Sequence, residues 1–286
     1  MNILFKAFIN LLAFLPIRIL YCISDYILYP LARFILNYRR DVVEKNLLLA
    51  FPEKHDKFRR DIEKKFYHSL CDIIVETIKM KRFSQEELKK RYLWINADEV
   101  INQTQKEKNM TMCLFAHLGN WEWSIARFMP NNNIIPFCFY YPLHNKFIEK
   151  WIIQNRSRFG NNLVDIAKLK QVLDRIENSK QRCMINIAID QLPKEKYVKY
   201  FCQFMGIKTK VISGTESIIT QYDMNAYFCY VVRTKRGYYE CRSIKMEPCL
   251  KEKSNKPYTD MYFELLEKNI REQPELWLWS HNRWKR

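Results

Sequence analysis

The chain has 286 residues, enough for one large domain or two small ones, and its 48% hydrophobic and 15% aromatic content excludes a protein disordered throughout. It holds only five glycines, at 119, 160, 206, 214 and 237, where average usage of about 7% gives roughly twenty, so no GxGxxG, GxxxxGK[ST] or GxSxG can be written. Forty-eight Lys+Arg against 31 Asp+Glu leave a net charge of +17, which suits a polyanionic partner: nucleic acid, anionic lipid or an acidic protein.

Residues 3–36 are mostly apolar but are broken by Lys6, Arg18, Asp25 and Arg33 and by Pro16 and Pro30. A clean transmembrane helix needs about 20 uncharged apolar residues. Two short helices lying in one leaflet fit as well as a single span, with Tyr21, Tyr26 and Tyr29 as an interfacial belt. The competing reading is a buried hairpin packed on the rest of the chain; the high apolar content on all sides favours membrane attachment. The segment lacks a small-residue cleavage site, which argues against a removed signal peptide. The division expected is therefore 1–36 as membrane-associating helices and 37–286 as the catalytic body.

A polar helix begins after Arg39-Arg40 and stops at Pro52. Residues 57–80 predict a long amphipathic helix with Phe58, Ile62, Phe66, Leu70, Ile73 and Ile74 on one stripe. Ser84 and Glu87 form a capping box for a short helix through Tyr92. Strands are expected at 93–95, 112–116, 134–141 and 183–189, with helices at 121–129 and 144–158. LVDI (163–166) reads as a strand, although 166–178 has helical spacing. A helix follows from Ser213 to Tyr222, then a hairpin of 226–232 and 238–246 around Thr234–Gly237. Residues 251–257 read as a surface loop, and a last helix spans 259–272 before Pro274. Strands alternating with helices predict an α/β fold with a mixed, largely parallel sheet flanked by helices.

The nine cysteines form no CxxC pair and lie mostly in apolar runs, which predicts reduced core thiols. The five histidines form no HExxH, so no metal site is expected.

The informative segment is LFAHLGNWEW. His117 stands just past a buried strand, and Gly119 and Asn120 precede a helix. His117 and Glu122 are five apart; on one continuous helix they would diverge by about 140° and could not meet. Across a strand–turn–helix junction they can. Glu122 is then expected to reach back to the imidazole, giving a base oriented by a carboxylate. The amides of Gly119 to Trp121 would sit at a helix N-terminus, where developing negative charge is favoured. An HxxxxE spacing alone is common by chance; the strand end and the adjacent glycine point to a site.

HLGNWE resembles the HX4(D/E) motif of the late lipid A biosynthesis acyltransferases, which are similar to lysophospholipid acyltransferases. Other segments follow in the family's order: YRRDVVEKNLLLAFPEK (38–54), YYPLHN (140–145), RSRFG (156–160), IDQLP (189–193), FMG (204–206), SGTES (213–217) and the terminal ELWLWSHNRWKR (275–286). The likeness spans nearly the whole chain. It departs at Asp190-Gln191-Leu192-Pro193, where the family often has DQ before Gly, and at FMG in place of FFG.

The resemblance implies an O-acyltransferase without cofactor or metal. The acyl donor would be an acyl carrier protein thioester, and the acceptor a hydroxyl on a phosphorylated glycolipid, the lipid A precursor. His117 would be the base and Glu122 its partner, with no covalent intermediate. Gly119, Asn120, Arg156, Arg158 and Asp190 are the substrate-binding candidates. Arg156 and Arg158 read either as a phosphate clamp or as an exposed basic pair, and Asp190 either as a site residue or as a buried cap. The implied location is the cell inner membrane, with the catalytic body facing the cytoplasm. Two other readings stand beside this one: the same chemistry on a lysophospholipid, another glycolipid or an amino lipid, or a non-catalytic basic protein binding membrane or nucleic acid. No recognisable nucleic-acid module supports the last.

Overall fold

The structure, a computed structural model, describes residues 2–106, 108–128, 133–193, 200–248 and 254–285. Seven strands form one sheet in the order β1-β9-β8-β2-β5-β3-β4. They are β1 (Tyr92–Trp94), β2 (Met110–Phe115), β3 (Ile135–Tyr140), β4 (Asn162–Asp165), β5 (Cys183–Ala188), β8 (Asn225–Lys235) and β9 (Tyr238–Lys245). Every neighbouring pair is parallel except the β8–β9 hairpin. The expected α/β class and mixed, largely parallel sheet are therefore what the chain adopts. β2 is buried along its whole length, as its unbroken apolar run requires of a central parallel strand.

Helices cover the sheet: α3 (Arg40–Ala50), α4 (Asp56–Met80), α5 (Gln85–Arg91), α6 (Ala97–Lys106), α7 (Trp121–Arg127), α8 (Lys146–Arg156), α9 (Leu169–Ser179), α10 (Gly214–Gln221) and α11 (Pro257–Glu272). Ser84 caps α5 by accepting from the Glu87 amide at 3.1 Å, as its spacing predicts. On α4, Ile62, Phe66 and Ile73 of the predicted stripe are buried, but Ile74 remains half exposed. LVDI is both things the sequence suggested. β4 ends at Asp165, whose side chain caps a single 3₁₀ turn, and α9 follows three residues later. The helix expected through Met129 ends at Arg127; Met129 itself, and residues 251–253 of the expected loop, lie outside the described residues.

Two elements were not expected. One is α6. The other is a separate antiparallel hairpin, β6 (Tyr200–Phe204) and β7 (Ile207–Val211). Its two-residue loop, Met205-Gly206, has positive φ at both positions, the geometry that matches strand twist.

The N-terminal segment is broken at Pro16 into α1 (Asn2–Phe14) and α2 (Ile17–Ile23), then continues as two π-helical turns on either side of Pro30. One face is tied to α4 and the sheet. Lys79 donates to the Leu15 carbonyl at 2.8 Å, Ser24 donates to Asp72 at 2.7 Å, and Arg236 bridges Asp25 and Asp72. Gly237, at φ +74°, lets the β8–β9 turn pass against the Tyr21 hydroxyl, where a Cβ would collide. The other face is open, with Phe8, Leu11, Phe14, Ile27, Phe34 and Ile35 exposed. No single described helix is long and apolar enough to cross a membrane; residues 17–35 and 40–50 pass together only as a pair bent by 84°.

Of the described cysteines, Cys22 is exposed and the other seven are buried and unpaired. Cys249 lies outside the described residues.

Candidate active site

β2 and β5 are parallel neighbours, with Phe115 opposite Ala188. Two residues further along each, beyond the carboxyl ends of the strands, His117 comes opposite Asp190. The two side chains meet: His117 Nδ1 lies 2.8 Å from Asp190 Oδ1. Asp190 Oδ2 accepts from the His117 backbone N–H at 3.1 Å and from Trp277 Nε1 at 2.9 Å. Burial raises the Asp190 carboxyl, but the His117 charge and these donors outweigh it and hold it at about 2. As a carboxylate it accepts a hydrogen bond from Nδ1–H, which leaves the lone pair on Nε2. Nε2 faces the Gln191 amide at 3.3 Å, and the imidazole is a quarter exposed. A buried carboxylate, a fixed tautomer and an accessible Nε2 make up the geometry of an oriented base.

Glu122 does not take the place expected for it at the imidazole. Its carboxylate receives the Arg156 guanidinium at 2.8 and 2.7 Å and Trp121 Nε1 at 3.1 Å. The physical reason is burial. A carboxylate shut away from water needs strong donors, and the planar fork of an arginine on the packed helix α8 supplies two. Burial raises the Glu122 carboxyl, yet Arg156, and after it the nearby His117, bring it below the ordinary range. Trp121 lies between the two groups, its ring edge-on to the imidazole at 5.6 Å.

The two arginines do not form one clamp. Arg156 spends its fork on Glu122, whereas Arg158 donates to the Met80 carbonyl at the end of α4, 2.7 Å away, and lies over Phe159. Gly119 is at φ +60°, which allows the sharp turn after His117, but its N–H is bonded to the Leu276 carbonyl at 3.0 Å. It is thus not a free donor for an oxyanion. Asn120 is fully buried and committed at both ends. Its Oδ1 caps α7 by accepting from the Trp123 amide, and its Nδ2 donates to Glu76 at 2.6 Å. Gly119 and Asn120 shape the loop rather than presenting groups to a ligand.

Sequence reasoning missed three contributors. Glu76 is entirely buried on α4 and takes hydrogen bonds from Tyr21 at 2.7 Å, Asn120 and Tyr239 at 3.0 Å. Burial pushes its carboxyl up to about 7, against the pull of those donors. Trp277 is buried and donates through Nε1 to Asp190. His281 accepts from the Leu192 amide at 2.9 Å through Nε2, and burial lowers it to about 4. The terminal segment as a whole clamps the site loop, with the Leu278 amide donating to the His117 carbonyl at 3.0 Å. Among the described residues no three His, Cys, Asp or Glu side chains gather as a metal-binding group.

The family model described as bacterial lipid A biosynthesis acyltransferase matches residues 1–286, the whole chain. The chain belongs to this family. That makes it an acyltransferase of lipid A biosynthesis. Of the curated proteins, none matches the chain. The segments carrying the family likeness converge in space: His117, just past β2, and Trp277 of the terminal segment both bond Asp190, just past β5, while Arg156 of α8 bonds Glu122 on the helix that follows His117.

Proposed function

We propose that this acyltransferase moves a fatty acyl group from an acyl carrier protein thioester to a hydroxyl of a phosphorylated lipid A precursor. His117 takes the hydroxyl proton on Nε2 as the oxygen attacks the thioester carbonyl. Asp190 holds the ring and stabilises the imidazolium. The attack forms the new C–O bond and leaves a tetrahedral oxyanion; its lone pair re-forms the carbonyl, the C–S bond breaks, and the departing thiolate takes the proton from the imidazolium. An alcohol is a poor nucleophile until its proton is removed, so the base is the group the reaction needs most. The observation that carries this reading is the 2.8 Å bond from His117 Nδ1 to a carboxylate held at about 2, with Nε2 turned to the Gln191 amide on a ring that is a quarter exposed. Glu122, fixed by Arg156, adds a negative charge near the imidazolium and so favours its formation.

Membrane association belongs to the same reading. The open face of the N-terminal segment is apolar while its other face is tied to α4, as an element lying in one leaflet and carrying a catalytic body would require. The net charge of +17 favours anionic lipid, a phosphorylated acceptor and an acidic carrier protein alike. The proposed location is the inner membrane with the site on its cytoplasmic side.

The test is mass spectrometry of the lipid A of a bacterial host with and without the protein, together with purified His117→Ala on an acyl carrier protein thioester. The wild type should add one acyl chain. The variant should lose about 10²–10⁴-fold in rate with its fold intact. A variant retaining more than a tenth of the wild-type rate removes His117 as the base.

A further inference from the structure

Acyl transfer to a hydroxyl places a negative charge on the thioester carbonyl oxygen, and that oxyanion needs a hydrogen-bond donor. Many N–H groups around His117 are already spent. Those of Leu118 and Gly119 donate to the Ala116 and Leu276 carbonyls at 2.8 and 3.0 Å, and that of Leu192 donates to His281 at 2.9 Å. The indole N–H groups of Trp121 and Trp277 are held by Glu122 and Asp190, and the Arg156 fork is held by Glu122. The Gln191 side chain differs. Among the described residues its one hydrogen bond runs from Nε2 to His117 Nε2, long at 3.3 Å, and leaves the second N–H of the amide unused. Its backbone is nevertheless fixed on both sides. Asp190 before it takes three donors, and the Leu192 amide after it is bonded to His281. A half-buried amide on an anchored turn thus stands at the nitrogen that receives the proton.

We propose that Gln191 is a catalytic residue whose side-chain amide donates to the oxyanion of the acyl thioester. The inference rests on the acyl-transfer reading above. In the empty site the amide N–H sits on the lone pair of His117 Nε2. A bond of that length is readily displaced by a hydroxyl, whose oxygen approaches to about 2.8 Å. The hydroxyl oxygen bonds the carbonyl carbon, its proton passes to Nε2, and the carbonyl π electrons move onto oxygen. Nε2 is then an N–H donor, and two donors cannot share a hydrogen bond. The amide is therefore turned off the ring at the moment the oxyanion appears within its reach, about 2.7–3.1 Å. When the carbonyl re-forms and the C–S bond breaks, the thiolate takes the proton from Nε2, and the restored lone pair draws the amide back. The Gly119 N–H and the Asn120 side chain cannot serve in this way, because both are committed to the loop itself.

The experiment measures kcat and KM of wild type, Gln191→Met and Gln191→Glu on an acyl carrier protein thioester with a lipid A precursor as acceptor. Gln191→Met keeps the length of the side chain and removes the donor, so kcat should fall by about 10²–10³-fold with KM for the thioester little changed. Gln191→Glu sets a carboxylate against the oxyanion and should fall at least as far. A Gln191 that only steadied the imidazole would give the opposite order, because a glutamate accepts from the imidazolium and methionine does not. Gln191→Glu more active than Gln191→Met therefore overturns the proposal, as does a kcat of Gln191→Met within threefold of the wild type or a loss confined to KM. Thermal melts check folding. If Gln191→Met unfolds, the near-isosteric Gln191→Glu carries the test alone, and a kcat above a tenth of the wild type rejects the assignment. A wild type that transfers no acyl group from any thioester overturns the proposed function and this assignment with it; an active wild type with unaffected variants overturns this assignment only.

Discussion

Tyr21 of the N-terminal helices and Asn120 of the site loop are bonded to the two oxygens of one buried carboxyl, that of Glu76, at 2.7 and 2.6 Å. The loop after His117 is thereby joined to the element that carries the open apolar face. Three donors face this carboxyl, with Tyr239 as the third, and among the described residues all three are neutral groups.

Glu76 should make the fold sensitive to pH near neutrality. Its carboxyl is raised to about 7 in the folded chain, from 4.5 in the unfolded one. Between those values the folded state binds more protons, so stability is full below the unfolded value and is lost as pH rises through 7. Glu76→Gln keeps the shape and cannot ionise. Thermal melts of the wild type should fall from pH 5 to pH 8 more steeply than those of the variant. Parallel curves would exclude Glu76 as the titrating group.

Asp190→Asn should remove catalysis without removing the fold. The amide donates where the carboxylate accepted, which moves the imidazole proton to Nε2 and leaves no base facing the acceptor. Turnover should fall by about 10²–10⁴-fold with KM little changed, since the loss is felt as the proton moves. A raised KM at unchanged kcat would instead make Asp190 a substrate contact.

Glu122→Gln should act differently, through stability as well as rate. Arg156 is nearly as buried as its partner, and removing one charge of a buried pair leaves the other uncompensated. A loss of about 3–5 kcal/mol is expected in denaturant unfolding, of which Glu122→Gln combined with Arg156→Met should recover a large part. If Glu122→Gln melts like the wild type yet is inactive, its charge serves the reaction alone.

How legible this was from the sequence depended on the range of the interaction. β2, β5, α4 and the β8–β9 hairpin follow from periodicity and turn residues, which are local. The strand end at His117 and the one at Asp190 could each be read from apolar runs that stop. Their pairing could not. It follows from β2 and β5 being neighbours in register, a relation between residues 73 apart in the chain. HX4E invites a short-range bond between His117 and Glu122, but α8 brings Arg156 to Glu122 first. Glu76 gave no signal, because a glutamate on a helix with many charges reads as solvated until the packing of α2 and α7 encloses it.

His281 should set the acid limit of the fold. It is lowered to about 4 by burial and serves as a neutral acceptor for the Leu192 amide, next to the Asp190-Gln191 turn. The unfolded chain protonates this histidine near 6.5, while the folded chain resists until about 4. In that window the unfolded state binds more protons, so stability falls as pH is lowered. Below it, protonation of Nε2 also replaces an acceptor with a donor opposite an N–H, which breaks the bond that holds the turn. His281→Gln keeps an acceptor within reach and cannot titrate there. Its melting temperature should fall less than that of the wild type between pH 6.5 and pH 4, and turnover measured at neutral pH should change little because the Asp190 loop stays anchored. An acid limb as steep in His281→Gln as in the wild type between pH 6.5 and pH 4 would move the effect to another group; the Asp190 carboxyl, at about 2, acts mainly below that window.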